Sequence, residues 1–184
     1  MEKKHKLFCI MGESASGKDT LTQRLCKELG LKQVISYTTR PPRNGEVGTH
    51  IFVDDSVYYD MKDIGNIAAY TNIDGYHYWS TIEQLYDNDI YIIDALGLQT
   101  LEDLGLSDID LCSIYVNVPF NIRLNRALSR GDDIEVFASR TSAETEQFVR
   151  MKGHGGFDWA VSNLNNDDAF EVLKKIIEVK TAQN

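Results

Sequence analysis

Seven residues near the start of the chain, Gly12-Glu13-Ser14-Ala15-Ser16-Gly17-Lys18, leave few choices of architecture. They follow a short apolar run, Lys6–Met11 (KLFCIM), and precede a stretch in which Leu21, Leu25, Cys26 and Leu29 recur at helical spacing. The order is therefore strand, glycine-bearing loop, helix. In that setting backbone N–H groups and a helix N-terminus converge on one point, where they bind phosphate oxygens. The glycines let the backbone curl close to the anion, and Lys18 reaches the outer phosphates of a triphosphate. Gly12, Ser14, Ala15, Ser16, Gly17, Lys18, Asp19 and Thr20 are the expected ATP-binding residues of this loop. A plain strand-to-helix turn with an exposed lysine is the competing reading; it does not require strand, glycine spacing, lysine and helix to coincide.

One position departs from the usual loop. Asp19 stands where a serine or threonine hydroxyl would ligate magnesium, and Thr20 follows it. A carboxylate is a good hard ligand for Mg²⁺, so Asp19 either replaces the hydroxyl or caps the helix with Thr20 assisting. Asp94 closes the apolar run Ile90–Ile93, and a carboxylate at the C-terminal end of a strand faces the ligand crevice of an open sheet. It is the other candidate for the metal, with a helix cap as its alternative role.

Further along, Ile90–Ile93, Ile114–Val118 and Trp159–Val161 read as strands, followed by helix-period stretches at Leu98–Leu104, Ile122–Leu128 and Phe170–Val179. Alternation of this kind predicts an α/β fold of the P-loop NTPase type, a parallel β-sheet core flanked by helices. Between Thr38 and Ser80 the rhythm breaks: turn signals at Pro41-Pro42, Asn44-Gly45 and Asp74-Gly75 separate short strand-like pieces such as His50–Val53 and Tyr76–Trp79. This predicts a small inserted subdomain of short strands with one helix, about 38–80. A polar, helix-compatible stretch at about 131–152 is expected to form a mobile flap, leaving the core at about 1–37, 81–130 and 153–184.

At 184 residues and 42% hydrophobic content the chain is expected to bury a single core as one domain. A formal net charge of −9 argues against a nucleic-acid surface, because phosphate-backbone binders need a clustered basic footprint. Cys9, Cys26 and Cys112 have neither disulfide nor metal-site spacing, which fits a reducing compartment. No signal peptide or membrane span is expected, so a cytoplasmic monomer or homodimer is the default.

The stretch Ser36-Tyr37-Thr38-Thr39-Arg40-Pro41-Pro42-Arg43-Asn44-Gly45-Glu46-Val47 closely resembles the S-x-T-T-R-x-P-R-x-G-E signature of guanylate kinases. The resemblance extends over nearly the whole chain, through the Gly75–Ser80 hairpin, Asp94, the Arg126, Arg130-Gly131 and Arg140 region and Phe157–Asn163. It implies that the core binds ATP, that the 38–80 insertion binds a nucleoside monophosphate and that 131–152 is a lid. By the same resemblance Ser36, Arg40, Arg43, Glu46, His50, Tyr78 and Ser80 bind the acceptor. Arg126 and Asn163 serve ATP, and Lys18, Arg130 and Arg140 act on the transferred phosphoryl group.

The residues agree in part on physical grounds. Forked guanidinium groups suit a phosphate dianion, as Arg40 and Arg43 with the Tyr78 hydroxyl would provide. Arg123, Arg126 and Arg130 share one helix face at i, i+3 and i+7, which reads either as phosphate-facing or as a solvated face. His50 falls where the family usually has a tyrosine, and a surface histidine is an equal reading. The base-reading half departs further: the two acidic positions that read guanine become Ala69 (or Ala68 in the neighbouring register) and Leu96, with Asn72 or Asp74 as nearby substitutes.

The expected reaction is in-line transfer of the γ-phosphoryl of ATP, with Mg²⁺, to GMP, dGMP or a related nucleotide. The rivals are another acceptor, such as a different nucleotide or a ribose bisphosphate, and a non-catalytic guanylate-kinase-like binding module. The intact Gly17-Lys18 and the lid arginines count against the latter.

Overall fold

The computed structural model describes residues 4–42, 46, 48–153 and 156–182, with the side chains of 152 and 153 excepted. Arg43, the Asn44-Gly45 turn and Val47 lie outside the described residues. A five-stranded parallel sheet forms the core: β1 (His5–Met11), β2 (Gln33–Val34), β7 (Ile90–Ile92), β8 (Ile109–Asn117) and β9 (Trp159–Ser162), in the order β2-β7-β1-β8-β9. β1 is central, with Phe8 beside Ile90 and Cys112. A central parallel strand is covered on both faces, which is why its sequence runs unbroken in apolar residues rather than alternating. Phe8 and Ile10 face one way, into a core with Leu21 and Leu25 of α1 (Lys18–Leu29) and Phe170 and Leu173 of α7 (Asn166–Ala182). Leu7, Cys9 and Met11 face the other way. There they meet Leu85 of α3 (Ile82–Asp87), Leu98 and Leu101 of α4 (Ala95–Asp103), and Phe148 of α6 (Ile134–Gly153).

The break in rhythm after residue 37 is a second sheet, β4-β3-β6-β5, formed by β3 (Tyr37–Thr38), β4 (Ile51–Phe52), β5 (Tyr70–Ile73) and β6 (Tyr76–Trp79), with α2 (Asp55–Asp63) beside it. Asp74 and Gly75 both have positive φ, 53° and 85°, closing the two-residue turn of the β5–β6 hairpin as their sequence predicts. The small sheet has an aromatic core of its own. Tyr58 stacks on His77 at 3.9 Å and on Tyr70 at 5.4 Å, and Tyr37 stacks on Trp79 at 5.4 Å.

Two elements go beyond the expectations. β8 begins at Ile109, ahead of the apolar run, because Ile109–Ser113 pairs with His5–Cys9. The stretch expected as a mobile flap is largely one 20-residue helix, α6, with Phe137, Thr141 and Phe148 buried. Phe148 and Phe157 both pack on Tyr115 of β8, at 5.1 and 4.6 Å between centroids, so α6 is docked on the sheet. Among the described residues no helix is long and apolar enough to cross a membrane.

Phe170 is fully buried, with the Arg24 guanidinium 3.8 Å from its ring centroid. Phe170→Ala is expected to cost about 3–5 kcal/mol in denaturant unfolding. A loss below about 1 kcal/mol would show that α7 is not integral to the core.

Candidate functional site

The loop from Gly12 to Lys18 turns sharply between β1 and α1. Gly17 is the N-cap of α1, at φ 83°. A Cβ there would lie 2.6 Å from Asn163 Nδ2, and one on Gly12 would lie 2.8 Å from the Val116 carbonyl oxygen. Both positions therefore require glycine, for close approach and at Gly17 also for its left-handed backbone. Ala15 likewise has positive φ, at 62°.

The loop's carbonyls are tied from behind. Arg123 Nη1 donates to Ser14 O at 3.2 Å, Arg126 Nη1 to Ser16 O at 3.2 Å, and Asn163 Nδ2 to Ser16 O at 2.7 Å. Arg126 Nη2 also donates to Asn163 O at 2.7 Å, joining α5 (Phe120–Arg130) to the end of β9. Drawing these two carbonyls back is the polarity an anion site needs, although the Ser16 N–H closes the turn on the Glu13 carbonyl at 3.0 Å. Ser16 Oγ and Asn163 Oδ1 are buried there with no hydrogen-bond partner among the described residues. An open cavity of about 400 Å³ runs along α5 beside Arg126, lined by Ile122, Asn125, Ser129 and Arg130.

Arg123 settles a reading that spacing left open. It is 3% exposed, donates from Nε to Val118 O at 3.2 Å, and pairs through Nη2 with Glu13 at 3.3 Å, so it belongs to no solvated face. Glu13 in turn accepts from the Tyr115 hydroxyl at 2.8 Å. Burial, then Glu13, pushes the Tyr115 phenol well above its usual range. This buried pair, absent from the expected site, was signalled by a carboxylate inside a phosphate loop, where it needs a cation of its own.

Of the other candidates, Lys18 Nζ lies 3.7 Å from Asp19, whose side chain is exposed. The helix-cap alternative for Asp19 does not hold: Gly17 occupies the N-cap and α1 has no side-chain cap. Thr20 is exposed in the same turn. Asp94 does cap α4, accepting from Gly97 N at 2.8 Å and from the Thr71 hydroxyl at 2.9 Å. Burial raises its carboxyl's pKa against those bonds. Arg130 is paired with Asp132. Arg140 is exposed on α6.

In the small sheet Arg40 is gathered with its expected neighbours. Its Nε donates to the Tyr78 hydroxyl at 3.0 Å, and Nη1 and Nη2 fork onto the two Glu46 carboxylate oxygens at 3.0 and 2.9 Å. The Glu46 bond is the main cause that raises the Arg40 pKa. Ser36 Oγ meets His50 Nδ1 at 2.9 Å, and His50 sets its edge against Tyr78. Ser80 is fully buried, its Oγ accepting from Ala69 N at 3.4 Å. Ala68 and Ala69 are both buried, and Leu96 is exposed. Neither proposed substitute joins them: Asn72 is exposed on the face of β5 opposite Thr71, and Asp74 sits in the hairpin turn. The polar side chain at this level is Thr71, already committed to Asp94.

A sequence model of the family described as guanylate kinase matches residues 4–180. Relatives include a guanylate kinase of Chlamydia muridarum, 26% identical over 93% of this chain and 86% of its own length. Another, from Escherichia coli K12, is 27% identical over 95% and 87%. The crystal structure of guanylate kinase from Anaplasma phagocytophilum superposes with a TM-score of 0.69 over 98% of this chain and 88% of that one, at 18% identity, a likeness of fold.

Removing one partner of a buried ion pair leaves an uncompensated charge. Arg123→Met is therefore expected to cost about 3–5 kcal/mol in urea unfolding, and Glu13→Gln combined with it to recover much of that. A single variant within about 1 kcal/mol of wild type would show that the pair does not hold the loop.

Proposed function

The chain belongs to the guanylate kinase family, and from that premise we propose that it is an ATP-dependent nucleoside monophosphate kinase acting on GMP, dGMP or a related nucleotide. The observation that carries this reading is the loop at 12–18, with its carbonyls drawn back by Arg123, Arg126 and Asn163 and Lys18 at its exit. Its N–H groups would cradle the phosphates of ATP, and the cavity along α5 would take the nucleoside end near Arg126 and Asn163. In the small sheet Arg40 and Tyr78, with Arg43, would hold the acceptor phosphate, whose oxygens offer Arg40 the forked partner that Glu46 now provides.

An acceptor oxygen attacks the γ-phosphorus in line, the bond to the β–γ bridging oxygen breaks, and ADP leaves with that electron pair. Lys18, Arg130 and Arg140 neutralise the charge on the equatorial oxygens, while positioning supplies most of the rate. Among the described residues no three His, Cys, Asp or Glu side chains gather into a metal cluster, so Mg²⁺ would come with ATP, with the exposed Asp19 carboxylate, Thr20 and Asp94 as the hard oxygens the protein offers it. Held by these residues, Mg²⁺ would supply charge neutralisation on the phosphates. The 38–80 and 131–152 segments would close over the substrates as acceptor subdomain and lid, excluding water.

A second reading concerns the acceptor base. Ala69 and Leu96 offer no hydrogen-bond acceptor to guanine's donor edge, and Ser36 is bonded to His50. Sites that hydrogen-bond a polar edge discriminate by ~10⁴ or more, whereas shape and stacking give ~10²-fold. A coupled ADP-release assay across the common ribo- and deoxynucleoside monophosphates is expected to show transfer to a guanine nucleotide with discrimination nearer the lower figure. Rejection of every other base by ~10⁴, or transfer only to a sugar phosphate, would overturn it.

In the same assay Lys18→Ala is expected to lose at least about 100-fold in turnover with its fold intact. Near-normal transfer by that variant would remove the phosphate-loop assignment.

A further inference from the structure

Two consecutive residues of α6 grip two consecutive residues of the phosphate loop. Glu144 Oε2 accepts the Ser14 backbone N–H at 2.7 Å, and Oε1 accepts the Ser14 hydroxyl at 2.7 Å. Thr145 Oγ1 donates to Glu13 Oε1 at 3.3 Å. Glu144 thus presents two oxyanion oxygens to the loop's first outward N–H and its hydroxyl, which is what a phosphate would present. The carboxylate is not on a loose arm. Its helix is anchored by Phe148 against Tyr115, and the loop beneath is fixed by the Glu13–Arg123 pair and the Tyr115 hydroxyl.

Nothing in phosphoryl transfer calls for this carboxylate. A negative group held on Ser14 repels an incoming polyphosphate and takes a donor that the polyphosphate would use. Arg140 lies one turn earlier on α6 and so shares the Glu144 side of the helix. The same face therefore carries one group that competes with phosphate and one that attracts it.

We propose that Glu144 is an internal anion that occupies the Ser14 end of the loop and competes with the phosphates of the nucleotide, so that ATP must displace it to bind. This rests on the reading of residues 12–18 as a phosphate loop. The nucleotide-free protein is latched through Glu144 and Thr145, and its apparent affinity is lowered by the fraction of molecules in which Ser14 is covered. Displacement of Glu144 by ATP removes its hold on Ser14 and leaves α6 on its Phe148 anchor, coupling nucleotide arrival to the contact between helix and loop.

Calorimetric titration of the full chain tests this with three ligands, ATP with Mg²⁺, tripolyphosphate and adenosine, on wild type, Glu144→Ala and Glu144→Gln. Both variants are expected to bind ATP and tripolyphosphate roughly tenfold more tightly, with adenosine affinity unchanged. The nucleotide-free melting temperature of Glu144→Ala should fall. Glu144→Gln keeps the size of the side chain, which guards against loss of folding. Equal or weaker binding of ATP and tripolyphosphate by the variants overturns the latch and leaves the phosphate loop standing. An equal gain for adenosine also overturns it, since general loosening would then be the cause. If no protein in the set binds ATP or tripolyphosphate, the phosphate-loop reading falls and the competition with it.

Discussion

A phosphate site made of backbone works only if the backbone's own acceptors are turned away from the anion. Here that is achieved by side chains from two distant elements, Arg123 and Arg126 of α5 and Asn163 after β9, which take up the carbonyls of Ser14 and Ser16. Gly12 and Gly17 make the arrangement possible, because a side chain at either would collide with Val116 or Asn163. The loop is thus held by α5 and by the end of β9, both remote from it in sequence, and its shape is a property of the whole sheet rather than of seven residues.

The buried Glu13–Arg123 pair adds a second level of support at a cost in desolvation. Pairs of this kind seldom add much net stability, yet removing one member is damaging. Its other bonds explain its place. Glu13 also meets Tyr115 from the sheet and Thr145 from α6, so a single carboxylate ties loop, sheet and α6 together. A shift of α6 must be felt at the loop, and a ligand in the loop must be felt at α6.

Much of this was legible in the amino-acid order. The apolar run at Lys6–Met11, the glycine spacing and the Asp74-Gly75 turn each correspond to an observed element, since each encodes a backbone requirement that only a few residue types meet. Arg40 and Glu46 of the signature and Tyr78 of the hairpin, all singled out by the family resemblance, are joined by hydrogen bonds, though Arg43 lies outside the described residues. β2 is two residues long and carries no periodicity to read. α3 carries a signal of its own: Thr81-Ile82-Glu83-Gln84 spells a capping box, and both of its bonds form. The docking of α6 was masked by polar composition, though Phe137, Thr141 and Phe148 fall on one helical face. Helical spacing alone could not tell that Arg123 points inward, because the group that draws it in, Glu13, is remote in sequence.

The central place of β1 bears on how the protein is made. His5 pairs with Ile109 and Phe8 with Ile90, so β1 leaves the ribosome well before either of its neighbours in the sheet. Until Ile90–Ile92 emerges both edges of this apolar strand are unpaired, and until Ile109–Asn117 follows one still is, and loops of that length close slowly. The strand that ends at the nucleotide loop is thereby the segment of the nascent polypeptide most in need of a chaperone's cover.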